Sequence, residues 1–261
     1  MTLIVGIKCK DSIVLGADGA ATLTSFTEGT VIQKVRKLDI ILDCIVFGSS
    51  GPIGLGQRYR GEIESIWKSR RLVNKLPHEV MDILRRELWK YAEVEWKCAE
   101  TCRPVIGGAA AMAAMCLAIV AIPISGFPHL FQFNHQCSPE EATTDLPFVS
   151  IGSGQKIADP FLAFIRHIFW SDKPPNLSEG VFATLWTLAH AIRTNPAGVA
   201  DPIQIVTLSK NGKSKEFQAH ELSRDELQEH GVAIKMAEDS LKNFRNSLKE
   251  TGQPEIKLPT Q

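Results

Sequence analysis

The chain has 261 residues, of which 44% are hydrophobic, so it is long enough to bury a sizeable core in one large layered domain. Its 29 Lys and Arg residues are balanced by 29 Asp and Glu residues. This neutral balance, without a basic tail, argues against nucleic acid and against an acidic membrane surface as partners.

Two short apolar runs, residues 2–7 and 12–17, open the chain and predict a β-hairpin. Thr2 begins the first run, and Asp18 follows the second, which would bring its carboxylate close to the start of the first. If Met1 is removed, Thr2 carries both a hydroxyl and a free α-amine, and that amine can act as the base that activates the hydroxyl. An ordinary α-amine has a pKa of roughly 7.7 to 8, so a useful fraction is uncharged near neutral pH. Nucleophile and base would then share one residue.

The rest of the chain predicts strands and helices in grouped runs, which is typical of an α+β layered domain. An alternating stretch at 31–38 contains Lys34, and a lysine that points inward there would be buried beside Asp18. Amphipathic spacing predicts helices at 53–71, 77–98, 156–170 and 178–193. Apolar runs predict strands at 113–123, 128–134, 147–151, 202–208 and 214–217.

One stretch has the length of a membrane span. No Asp, Glu, Lys or Arg occurs between Arg103 and Glu140. However, Pro123 interrupts the stretch, and its most hydrophobic part, residues 116–122, has the length and branching of a buried strand. We therefore predict central strands here and no membrane segment.

The six cysteines show no paired metal-binding spacing. Cys98 and Cys102 would share one helix face, but no second pair or nearby histidine completes a tetrahedral site. We predict free, partly buried thiols in a reducing compartment, with no metal and no cofactor. The N-terminus shows no basic leader followed by an apolar core, so we expect a cytoplasmic location.

Four segments resemble the catalytic core of proteasome β-subunits and their bacterial relatives. They are TLIVGIK at 2–8, VLGAD at 14–18, Lys34 with the pair at 37–38, and VFGSSG at 46–51. Thr2 and Asp18 are 16 residues apart, Asp18 and Lys34 another 16, and Gly48 follows 14 later, as in the family. The segment at 151–154, IGSG, is similar as well.

The resemblance implies the four-layer αββα sandwich of N-terminal nucleophile hydrolases and a role for each matching residue. Thr2 would attack the carbonyl, Lys34 would lower the pKa of the threonine site, and Asp18 would pair with Lys34, because an unpaired buried charge is costly. The backbone N–H of Gly48 would form the oxyanion hole, and Ser153 would relay the proton of the α-amine.

The resemblance also implies a substrate pocket that suits a small to medium, uncharged side chain. Its lining would consist of Ala21, Ile32, Val46 and Ser50.

The chain departs from the family in two places. Thr194 and Ala197 stand where active subunits carry an acidic residue and a serine, and Gly19 and Ala20 replace the usual serine and arginine. Asp201 could substitute for the acidic residue only if the loop is rebuilt. These changes favour altered chemistry, such as amidase or ligase activity, or loss of activity.

We predict a proteasome-like domain at 1–220 and a C-terminal helix with a mobile tail at 221–261, packed on the same domain. An apolar stripe on the charged helix at 221–250 fits either a cover for the domain or a contact between subunits. The tail, 252–261, contains two prolines and is expected to be mobile.

Two functions follow. The first is a threonine-type amide hydrolase, or peptidase, that forms an acyl ester on Thr2 within a ring-like or stacked homo-oligomer. The second is a catalytically silent scaffold, as proteasome α-subunits are. Methionine directly before Thr2 favours the first, because ordinary methionine removal acts when a small residue follows, and the altered loop favours the second. The sequence does not indicate whether an unfoldase acts together with this protein.

Overall fold

The computed structural model describes residues 2–24, 30–112, 114–171, 173–195, 198–212 and 216–251. The side chains at 22–24, 30–32 and 249–251 lie outside this description. Within it, the chain has a mixed α+β fold with antiparallel sheets.

The first sheet contains the N-terminal hairpin. Strand β1 (Ile4–Lys8) pairs with β2 (Ser12–Ala17), with Ile4 opposite Ala17, as the two apolar runs predict. The other strands are β10 (Phe148–Ile151), β11 (Gln204–Lys210) and β12 (Phe217–Glu221), and the spatial order is β10-β1-β2-β11-β12. Because β1 lies between β10 and β2, the residues just before it are surrounded by neighbouring strand ends.

The second sheet has the order β5-β6-β7-β8-β9. Its strands are β5 (Leu38–Ile41), β6 (Ile45–Ser50), β7 (Leu117–Ile124), β8 (Phe127–Phe133) and β9 (Pro139–Glu141). The charge-free stretch therefore supplies β7 and β8, two central strands as predicted. No helix in the described part of the chain is long and apolar enough to cross a membrane.

A separate hairpin, β3 (Ala20–Thr24) with β4 (Thr30–Lys34), connects the two sheets along the chain. The sequence does not separate this hairpin from β5. Lys34 is its last residue and lies opposite Ala20.

The apolar core contains residues from both sheets. A buried cluster unites Ile4 and Leu15 of the first sheet with Val46, Ile119 and Leu130 of the second. Since a strand sends alternate side chains to opposite faces, each sheet has a second face that helices can cover.

Helices cover those outer faces. α1 (Ile53–Lys68) contacts β5 and β6, and α2 (Pro77–Ile106) contacts β8 and β9. α5 (Leu177–Thr194) contacts β1, β2 and β11, while α4 (Gln155–Phe169) contacts β10 and α5. α2 extends eight residues beyond its predicted end and stops at Gly107, followed by the short α3 (Ala109–Met112).

The chain divides into two compact units, Met1–Leu222 and Ser223–Gln261. The second contains α6 (Arg224–Thr251), and its apolar side chains Met236, Leu241 and Phe244 are more than half exposed. The predicted tail at 252–261 and the first two residues of the predicted strand at 214–217 lie outside the described residues.

Candidate functional site

Thr2 lies in a turn of backbone from residues 152–154. Its nitrogen donates to Ser153 Oγ (3.2 Å), and its carbonyl oxygen accepts from the Gly154 N–H (3.2 Å). Gly152 has φ +98°, and a Cβ there would lie 2.2 Å from the Thr2 carbonyl oxygen. Only glycine permits this close approach, so the IGSG segment is shaped to hold the backbone of Thr2.

Asp18 is buried beside the backbone of Leu3, the residue after Thr2, with 1% of its surface exposed. Its Oδ1 accepts from the Leu3 N–H (2.7 Å) and from Lys37 Nζ (2.6 Å). Its Oδ2 accepts from the N–H groups of Ala20 (3.1 Å) and Ala200 (3.4 Å). A carboxylate with four donors is satisfied inside the protein and fixes the position of each donor.

The lysine that pairs with Asp18 is Lys37, so the predicted ion pair between Asp18 and Lys34 was wrong. Lys34 ends β4 and its side chain is exposed, whereas the Lys37 side chain is 7% exposed. After β4 the chain leaves the strand for three residues, with the Val35 N–H bonded to the Gly19 carbonyl (2.9 Å). This connection brings residue 37, and not residue 34, over the Asp18 carboxylate.

Burial lowers the pKa of Lys37 below its ordinary value, while the hydrogen bond and the charge of Asp18 act in the opposite direction. Burial has the larger effect. In its charged form, Lys37 would favour the deprotonated form of a hydroxyl or amine placed close to it.

Gln204, which sequence reasoning missed, fixes the backbone that carries Lys37. Its Oε1 accepts from the N–H groups of Lys37 (3.2 Å) and Leu38 (3.1 Å), and its Nε2 donates to the Leu38 carbonyl (3.1 Å). The two N–H donors require an oxygen at this position, so the amide orientation is settled by its partners. The one feature of the sequence that could have pointed to Gln204 is its position, as a polar residue at the start of an apolar strand.

Thr2 and Lys37 line one cavity of about 620 Å³. The remaining lining comes from β3, from residues 35–39, from the end of β6 and from one face of α1, and consists of Ala21, Val35, Arg36, Asp39, Phe47, Ser49, Gly51, Ile53, Gly56, Gln57 and Arg60. An open pocket next to a hydroxyl and a buried lysine is the arrangement expected of a reaction site.

The predicted substrate pocket is partly wrong. Ala21 does line the cavity, but Val46 is fully buried in the core between the sheets. Ser50 lies on the Val46 face of β6, and its Oγ is 3.2 Å from where a Cβ of Gly152 would be. Side chains alternate along a strand, so the cavity is lined by Phe47 and Ser49 instead. The Ile32 side chain lies outside the described residues.

Gly48 lies within β6, opposite Leu38 on one side and Ile119 on the other. A Cβ at this position would lie 2.9 Å from Leu38 Cδ2 and 3.0 Å from Ile4 Cδ1, so close packing is one reason for a glycine. Its role as an oxyanion donor stays a prediction.

The loop after α5 contributes backbone to the site. The Thr194 hydroxyl donates to the His190 carbonyl of its own helix (2.8 Å), and Asp201 is exposed. Ala197 lies outside the described residues. The Ala200 N–H reaches Asp18, so the described part of this loop supports the carboxylate without adding a charged group to it.

The described residues contain no group of three or more His, Cys, Asp or Glu side chains that could hold a metal ion. All six cysteines are free; Cys9, Cys116 and Cys137 are buried, while Cys98 and Cys102 are exposed. Burial raises the pKa of Cys9 and of Cys116 to about 12, which makes these two thiols poor nucleophiles.

No family model and no curated protein matches the sequence. Solved structures match over nearly the whole chain. Anbu (ancestral β-subunit) from Yersinia bercovieri is 20% identical, with 98% of this chain and 100% of that chain covered and a TM-score of 0.63. An Anbu (Gly-1) mutant from Hyphomicrobium sp. strain MC1 is 17% identical, with coverages of 98% and 100% and a TM-score of 0.64. The chain therefore shares its mixed α+β fold with Anbu proteins.

Proposed function

We propose that this protein is a proteasome-like N-terminal nucleophile hydrolase that cleaves amide bonds with Thr2. The observation that carries the proposal is the buried Asp18–Lys37 ion pair, because Lys37 lines the same cavity as Thr2. Desolvation makes a buried ion pair weak evidence for stability, and such pairs in clefts are instead candidates for function.

In the proposed reaction, loss of Met1 converts the Thr2 nitrogen into an α-amine beside Ser153 Oγ. The amine accepts the hydroxyl proton as Thr2 Oγ1 bonds to the substrate carbonyl carbon, and the Lys37 ammonium favours the deprotonated oxygen. The proton passes to the leaving nitrogen as the C–N bond breaks, which leaves an acyl ester on Thr2. Water then hydrolyses the ester, and Ser153 relays protons at the amine. The Gly48 N–H is proposed to stabilise the oxyanion.

The packing supports a finer proposal for the fold. Helices lie on the outer face of each sheet, and a shared core joins the inner faces, which fits a four-layer αββα sandwich. The Yersinia bercovieri protein is described as an ancestral β-subunit. We extend that to a ring-like or stacked homo-oligomer of this chain, with peptides or amides as substrates.

A silent scaffold is the second candidate, favoured by the loop after α5. The Thr194 hydroxyl is bonded within its own helix, and the loop reaches Asp18 through the backbone of Ala200. A subunit kept for assembly would retain the sandwich and would not need Met1 to be removed.

A threonine-directed β-lactone tests the proposal. We expect intact-mass analysis of the wild-type protein to show loss of Met1 and one acyl adduct, mapped to Thr2. Thr2→Ala should remain unmodified, and Thr2→Ser should react at the same position because it retains a hydroxyl and an α-amine. A folded wild-type protein that keeps Met1 and gains no adduct would support the scaffold instead.

A further inference from the structure

Charged side chains form part of the cavity wall next to Thr2. Arg36, Lys37 and Arg60 contribute three positive charges, and Asp39 contributes one negative charge. Of the four residues in the predicted uncharged pocket, Ala21 lines the cavity, whereas Val46 and Ser50 are not among its lining residues. The charged side chains of the cavity wall therefore indicate a substrate side chain other than an uncharged one.

Arg36 is held at the rim by an ion pair with Glu221 of β12. The same glutamate accepts from Gln204 Nε2 (3.3 Å), and Gln204 also fixes the Lys37 backbone. The pair engages Nη2 of Arg36. A guanidinium carries five N–H donors, so this anchor positions the group without using its full capacity.

Arg60 comes from α1, on the helix face that also presents Ile53, Gly56 and Gln57 to the cavity. Its Nη1 donates to Glu64 (3.2 Å), and its Nε lies 3.6 Å from an Asp39 carboxylate oxygen. Asp39 is thus already opposite a cation of the wall. Arg36 is engaged through Nη2, and Arg60 through Nη1 and Nε. Each guanidinium carries further N–H donors, which suit the recognition of a carboxylate.

We propose that the Thr2 site selects substrates with a carboxylate side chain, Glu or Asp, next to the scissile amide, recognised by Arg36 and Arg60. This inference rests on the proposed hydrolase function, because it concerns the substrate of that reaction. Carboxylate binding can nevertheless be measured without catalysis. A basic substrate that binds Asp39 is the opposing hypothesis. It is disfavoured because Asp39 lies within ion-pair distance of Arg60, a cation of the same cavity wall.

The test uses equilibrium binding to the Thr2→Ala protein, which cannot acylate. The probes are three fluorescently labelled tripeptide amides that end in Glu, Gln or Lys, measured by anisotropy at low salt. We expect the Glu peptide to bind about tenfold more tightly than the Gln peptide, the factor expected for one charge-assisted hydrogen bond. The Lys peptide should bind most weakly, and added salt should reduce the differences.

Arg36→Gln combined with Arg60→Gln should abolish the preference for Glu. Arg58→Gln is the matched control, since Arg58 lies on the same helix, pairs with Glu95 (3.1 Å) and does not line the cavity. Equal affinity for Glu and Gln, preference for Lys, no measurable binding, or an unchanged preference in the double variant would each overturn the proposal. Thr2 acylation by the β-lactone without Glu preference would refute only this inference. Glu-selective binding without acylation would refute only the hydrolase.

Discussion

At the scale of single residues, the position of the Lys37 ammonium depends on a backbone held by one amide side chain. Gln204 makes three hydrogen bonds to residues 37 and 38 and is 8% exposed. Asp18 then fixes the other end of the lysine. We expect the loss of either anchor to weaken the hold on the Lys37 ammonium.

We expect Gln204→Ala to slow acylation of Thr2 and to lower the free energy of unfolding by about 2 kcal/mol, because two backbone N–H groups lose a buried acceptor. Gln218→Ala is the control, since that exposed amide on β12 contacts Asn211. Labelling rates measured well below both unfolding midpoints separate positioning from stability. A Gln204→Ala protein that labels at the wild-type rate would show that the Lys37 backbone needs no such anchor.

At the scale of elements, a buried carboxylate ties α2 to the connection that precedes it. Glu87 is 5% exposed and accepts from Arg71 Nη2 (2.7 Å), and it also pairs with Lys90. The hydrogen bonds from Arg71 and then Lys90 outweigh burial and lower the pKa of Glu87 to about 2. The carboxylate therefore stays charged far into the acid range.

A carboxyl group whose pKa is lower in the folded state stabilises the fold at pH values above its unfolded-state pKa. This contribution is lost as the pH falls through the folded-state pKa. Glu87→Gln should therefore cost about 2 kcal/mol at pH 7, after allowance for the exposure of its cationic partners, and this cost should shrink between about pH 4.5 and pH 2. Urea titrations across that range measure it. Glu93→Gln, in the exposed pair with Lys97, should have little effect at any pH. A Glu87 cost that is constant with pH would contradict the pKa.

Elements with a strong local pattern were predictable, and those set by pairing were not. The hairpin of β1 and β2 and the helices α1 and α5 follow from apolar spacing. Residues 31–38 show one alternating pattern, yet the structure splits them into the end of β4, a three-residue connection and the start of β5. That break moved the buried lysine from residue 34 to residue 37. Likewise, the sequence of β6 could not show which of its two sets of alternating side chains lines the cavity.

At the scale of the whole molecule, the site is assembled from segments that are distant in sequence. Thr2 and Asp18 come from the two ends of the N-terminal hairpin, Lys37 precedes the second sheet, and Ser153 follows β10. The proximity of Thr2, Asp18 and Ser153 could be predicted by motif, because the hairpin and the glycine turn are local. Lys37 and Gln204 meet only after both sheets are formed, so sequence spacing gave no access to them.

In the proposed mechanism Lys37 activates Thr2, and two alanine variants distinguish its role from that of Lys34. Lys34→Ala and Lys37→Ala each remove one ammonium from positions three residues apart, one exposed and one paired with Asp18. The measurement is the rate of β-lactone acylation at Thr2 by intact-mass spectrometry, with thermal unfolding to verify that both variants are folded. We predict a Lys34→Ala rate close to wild type and a Lys37→Ala rate at least about a hundredfold lower. Loss of acylation in Lys34→Ala with retention in Lys37→Ala would show that Lys37 is not the lysine that activates Thr2.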